Sequence, residues 1–162
     1  MTLRSVTLGA ALVALGLPVM AEGQIVRNRL QLSAATITFP AVTEAHYDAG
    51  SVDASSSITF TMNATNGNTG VTRTSIVSIR ANSGTLGSGK PVSDLQWSRA
   101  DLGAWNGLST TDVTIESRQF RRNGPNDPWS NTVNFRTLLD WAADGPATYT
   151  AMIVFTLTIT TP

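Results

Sequence analysis

The chain has 162 residues, with 11 basic and 11 acidic side chains, one histidine and no cysteine. Formal neutrality, with Arg121 and Arg122 the only adjacent cations, excludes the basic footprint that nucleic acid or anionic lipid requires. The missing cysteines exclude thiol catalysis, cysteine-ligated metals and disulfide staples, so a hydrophobic core alone must hold the fold.

Residues 1–21 read as a secretory signal peptide. Arg4 supplies the positive start, residues 6–17 form an uncharged apolar run, and Pro18 breaks it before Val19, Met20 and Ala21. Cleavage is expected between Ala21 and Glu22. The run is too short to cross about 30 Å of hydrocarbon, and no cysteine could carry a lipid anchor. Residues 22–162 then form one domain, exported to the periplasm, the cell surface or the medium, with no membrane span.

Taken in order, residues 22–33 place Val26, Leu30 and Leu32 on one parity, as a first strand or a loosely held extension. Ile37 and Phe39 share a face before Pro40 closes their segment, since proline cannot donate to a ladder. Residues 41–57 read as a loop with one short strand. Ile58, Phe60 and Met62 alternate with Thr59 and Thr61, a strand pattern. The run Asn66-Gly67-Asn68-Thr69-Gly70 is turn chemistry, predicting a hairpin that returns through residues 72–81 with Val77 and Ile79 inward.

After a glycine-rich loop at 82–90, Leu95 and Trp97 alternate in another short strand. Residues 112–120 alternate at first and then turn polar, which suggests an edge strand or a bulge. A Gly/Pro loop at 121–130 precedes residues 131–141. There Val133, Phe135, Leu139 and Trp141 share a parity, so a strand is favoured over a helix. The last stretch, 146–162, is the clearest. Tyr149, Ala151, Ile153, Phe155, Leu157 and Ile159 alternate with mostly threonine, predicting one strand of about twelve residues and roughly 40 Å. About seven or eight short strands with turn signals, and no long amphipathic helix, indicate an all-β, immunoglobulin-like antiparallel sandwich, with a jelly roll as the alternative.

Little here carries chemistry. His46 sits in Glu44-Ala45-His46-Tyr47-Asp48, and with Asp53 these carboxylates could form only a weak oxygen-rich site, so no metal is assigned. Gly87-Ser88-Gly89 lacks the strand-to-helix context of a nucleophile elbow. No pair of carboxylates is brought together by spacing, so no catalytic residue and no cofactor is assigned and the chain reads as non-enzymatic. The tryptophans divide by context. Trp97 and Trp141 lie on apolar parities and are expected in the core, whereas Trp105 and Trp129 lie in glycine- or proline-flanked segments. The latter two are the candidate ligand or interface aromatics, able to stack on a sugar ring or anchor a partner.

With the signal segment, the alternating stretch at 25–39, the turn at 144–147 and the Tyr149 to Thr158 threonine strand in hand, the chain resembles exported bacterial pilin-like subunits of the spore-coat-U and fimbrial group. It departs from many of them in lacking a cysteine pair and in carrying Ala147 where glycine is common. The resemblance implies polymerisation by a donated strand that completes a neighbour's sheet. Val26, Leu30 and Leu32 are then the assembly-strand candidates; the other reading makes them the first strand of their own domain. The expected function is an exported structural subunit of a surface fibre or coat, with self-association or other surface subunits as partners. The alternative is a secreted polysaccharide- or surface-binding module.

Overall fold

The computed structural model describes residues 28–64, 72–120, 128–145 and 147–160. The signal segment, Val26, the turn at 66–70 and the Arg121–Arg122 pair lie outside the described residues. Within them the order is β1 (Asn28–Leu32), α1 (Glu44–Asp48), β2 (Ser51–Asp53), β3 (Ile58–Ala64), β4 (Arg73–Ala81), β5 (Leu95–Arg99), β6 (Asn106–Gly107), β7 (Val113–Phe120), β8 (Trp129–Leu138) and β9 (Ile153–Thr160).

All strand pairs are antiparallel. One sheet runs β1-β3-β8-β5-β6, with β2 also on β8, and the other runs β7-β4-β9. The two form the expected all-β sandwich around one core. Alternation explains why: Ile58, Phe60 and Met62 of β3 and Val133 and Phe135 of β8 point inward from the larger sheet. Val77 and Ile79 of β4, with Ile153 and Phe155 of β9, answer them from the smaller one.

Several local expectations change. The expected pairing of β3 with β4 is not found: β3 pairs with β1 and β8, while β4 pairs with β7 and β9. The two strands belong to different sheets; turn residues allow a reversal but do not choose a strand's partner. The loop at 41–57 holds the expected short strand, β2, and also the single-turn helix α1. Ile37, Phe39 and Val42 are buried without joining a ladder, plugging the core from an irregular segment. The short strand expected around Leu95 and Trp97 starts at Leu95, directly after a 3₁₀ turn at Val92–Asp94.

β7 is both of the things its sequence suggested. It is an edge strand, and its register against β4 slips at Val77/Ser78, where Val77 faces Glu116 and Ser78 faces Thr114. Ile115 is the extra residue, so Ile115 and Glu116 are both buried although adjacent. β9 is shorter than predicted, eight residues instead of about twelve. Tyr149 and Ala151 keep the inward alternation, but the chain before β9 bonds to the 82–90 loop, through Thr150 N–H to the Leu86 carbonyl at 2.7 Å and Asn82 N–H to the Met152 carbonyl at 3.0 Å. The most paired strand is β8, which holds β3 and β2 along one edge and β5 along the other.

Candidate functional site

Three places on this frame could do something, and each is set by which edges and loops the sandwich leaves open. The first is the lateral seam between β1 and β9, the outer strands of the two sheets, which approach each other. Among the described residues, neither pairs with a strand on its outer side. Leu30 and Leu32 from β1, and Leu157 and Ile159 from β9, pack against the core yet stay half-buried. The opposite side of the sandwich is closed by polar clamps. Arg99 donates from Nη1 to the Ile115 carbonyl at 3.1 Å, and Asn131 Nδ2 donates to Glu116 Oε2 at 3.2 Å. One flank is therefore latched and the other only greased.

Two of the assembly-strand candidates lie on that greased flank. Leu30 is in register with Met62 and Leu32 with Phe60, so β1 pairs within its own chain, the second of the two readings the sequence left open. Val26 falls outside the described residues.

The second place is aromatic. Trp129, expected in a loop, begins β8 and is buried at 5% exposure, edge-on to Phe60 with ring centroids 5.6 Å apart. Trp105 does lie in a loop, half-buried beneath the Arg136 guanidinium 4.4 Å from its ring centre. The accessible tryptophan is instead Trp141, expected in the core but 57% exposed. Parity fails there because β8 ends at Leu138 and Asp140 turns the chain. Its Oδ1 accepts from Ala142 N–H at 2.7 Å and Ala143 N–H at 3.1 Å. Trp141 stacks on Tyr47 at 4.5 Å between centroids, and its indole N–H donates to Asp48 Oδ1 at 3.2 Å. The result is a flat, oriented aromatic platform. His46 does not contribute chemistry to it: its Nδ1 accepts from Thr43 N–H at 3.1 Å, capping α1.

The third place adjoins the platform. A half-open cleft of about 590 Å³ is lined by Gly50, Ser88, Gly89, Lys90, Asp94, Leu139, Asp140, Asp144 and Tyr149. Gly87, Ser88 and Gly89 all take positive φ, and this tight turn aims Lys90 inward. Lys90 Nζ lies 2.6 Å from Asp144 Oδ2 and 3.0 Å from Asp94 Oδ2. The side chains of Lys90 and Asp144 are each only 4% exposed. Burial works against the ammonium, but the hydrogen bonds to Asp144 and Asp94 outweigh it and raise Lys90 above the ordinary lysine value. Burial, which opposes the Lys90 ammonium, instead raises the Tyr149 phenol, because it disfavours the phenolate; the Tyr149 hydroxyl donates to the Gly145 carbonyl at 3.1 Å.

Sequence reasoning missed this cluster because Lys90 and Asp144 are 54 residues apart. One signal was available: Lys90 is the sole lysine in a chain whose other cations are all arginine. Comparison of the chain with known protein families, curated proteins and solved structures finds no match to any of them.

Proposed function

We propose that this chain is a non-enzymatic, exported structural subunit of a surface fibre or coat, assembling through its β-strand edges. The observation that carries the reading is the seam. The outer edges of β1 and β9 are unpaired among the described residues, and these strands carry four half-buried aliphatic side chains packed against the core. An extended segment from another copy, laid along either edge, would satisfy backbone groups and cover Leu30, Leu32, Leu157 and Ile159 together. The resemblance to pilin-like subunits supports the same reading, with residues 22–27 as the donated extension.

The test is light scattering and negative-stain microscopy of residues 22–162, beside a deletion of 22–27 and the edge variants Leu157→Lys and Ile159→Lys. The deletion stops at residue 27 because β1 belongs to the sandwich. Concentration-dependent oligomers or fibres that are lost in all three variants are expected. A strictly monomeric wild-type chain would end the proposal.

A second reading, a polysaccharide-binding module, rests on the Trp141–Tyr47 platform, because a held, exposed indole face suits the apolar face of a sugar ring. Its test is tryptophan fluorescence in a glycan screen, wild type against Trp141→Ala. A spectral shift present in the first and absent in the second is expected; no shift with any glycan removes the reading.

A further inference from the structure

A lysine is among the residues least often fully buried, and this chain buries the single one it has. Arginine supplies every other cation, and its planar fork suits an ion pair better than an ammonium does. What lysine offers and arginine does not is a primary amine that becomes a nucleophile once it loses a proton. Lys90 Nζ sits 2.6 Å from the Asp144 carboxyl and 3.0 Å from a second carboxyl, that of Asp94. The first carboxyl is buried with the amine; the second, with its side chain 29% exposed, reaches the cleft and its water.

We propose that Lys90 and Asp144 form an intramolecular amide cross-link, with Asp94 as the proton carrier. The paired ammonium and carboxylate already contain every atom required. Asp94 takes one proton from the ammonium and passes it to the Asp144 carboxylate, so that a neutral amine meets a neutral carboxylic acid and attacks Asp144 Cγ to form the C–N bond. The Asp140 N–H, 2.9 Å from Asp144 Oδ2, steadies the negative charge that develops on that oxygen. The second amine proton then follows through Asp94 to the hydroxyl oxygen of the Asp144 acid, which departs as water. The C–O bond breaks and one water leaves through the cleft. No oxidant, metal or cofactor enters, and no electrons are exchanged.

Held contact between buried partners is what makes the step feasible, because proximity replaces an encounter in water. The link would tie the loop ahead of the Val92–Asp94 turn to the turn after β8, a covalent closure in a chain that has no cysteine with which to make one.

Intact-mass spectrometry of the denatured full chain tests this. The expected mass is one water below that of the residues present. Trypsin cuts after Arg80, Arg99 and Arg136 and spares the Lys90–Pro91 bond, so residues 81–99 should appear joined to 137–162. Asp144–Gly145 could also lose one water as a succinimide, and Lys90→Met separates the two. Lys90→Met and Asp94→Asn should both return the full mass, Asp94→Asn with an unchanged far-ultraviolet circular dichroism spectrum. A wild-type chain at full mass overturns the cross-link, as does a water loss that persists in Lys90→Met. A joined peptide that persists in Asp94→Asn overturns the role of Asp94.

Discussion

Replacing Trp129 by alanine should destabilise this protein far more than replacing Trp141, the reverse of what their sequence contexts suggest. Trp129 is 5% exposed, stands edge-on to Phe60 with rings 87° apart, and pairs in register with the fully buried Met62. Truncating a core tryptophan to alanine costs about 3–5 kcal/mol through lost transfer energy and the cavity left behind. One term works the other way. The Trp129 indole N–H is buried with no acceptor among the described residues, and an unsatisfied buried donor costs about 1–3 kcal/mol. Removing it offsets part of the loss, so Trp129→Ala should cost about 3 kcal/mol. Trp129→Phe keeps the ring against Phe60 and deletes the orphan donor, so it should cost about 1 kcal/mol or less. Trp141→Ala loses an exposed stack on Tyr47 and should cost less than about 1.5 kcal/mol. The assay is urea unfolding followed by far-ultraviolet circular dichroism, which does not depend on the tryptophan removed, with stabilities compared at unchanged m. A loss below about 1.5 kcal/mol for Trp129→Ala, with m unchanged, would refute the placement of its ring in the core.

Gly107→Ala should cost about 1–3 kcal/mol, because an added Cβ would lie 2.9 Å from the Ser93 carbonyl oxygen and force β6 away from the 3₁₀ turn; an unshifted urea midpoint would contradict that contact. The Asp101 carboxyl is held down to about 2, against 3.8 normally, chiefly by its hydrogen bond with Arg99. A carboxyl with a depressed folded-state pKa contributes stability above its unfolded pKa and loses it as pH falls through the folded one. Asp101→Asn should therefore flatten the stability profile between about pH 4 and pH 2 in acid titrations and leave its slope nearer neutrality unchanged. In Asp144→Ala no cross-link can form and the buried Lys90 ammonium keeps only Asp94, so the variant should lose at least about 3 kcal/mol by urea unfolding. A near-neutral result would mean that Lys90 escapes to solvent.

Much of the core could be read from alternation alone. Ile58, Phe60 and Met62, Val77 and Ile79, Leu95 and Trp97, and Tyr149 to Phe155 all turn inward as their parity requires. The same rule failed at Trp141, where the strand had already ended and Asp140 had turned the chain. It misled at Trp129 for the opposite reason: flanking Pro128 and Asn131 resemble loop residues, yet the strand begins between them. The final stretch looked like one long strand because Tyr149 and Ala151 keep the period. Their neighbours bond to the 82–90 loop instead, so the ladder on β4 begins only at Ile153.

By itself, then, the sequence determined the fold class and which side of each strand faces inward, because a period of two is a local property that burial reads directly. It also determined that no disulfide could help, and that the chain's one primary side-chain amine is Lys90. Only the tertiary structure decided partners. It put β3 and β4 in different sheets, made β8 the hub of the larger one, and left β1 and β9 as neighbouring edges with no further strand on their outer sides among the described residues. It also carried Lys90 across 54 residues to Asp144. Periodicity names a face but not the strand or charge that will meet it; that choice is made when distant segments compete to cover one core.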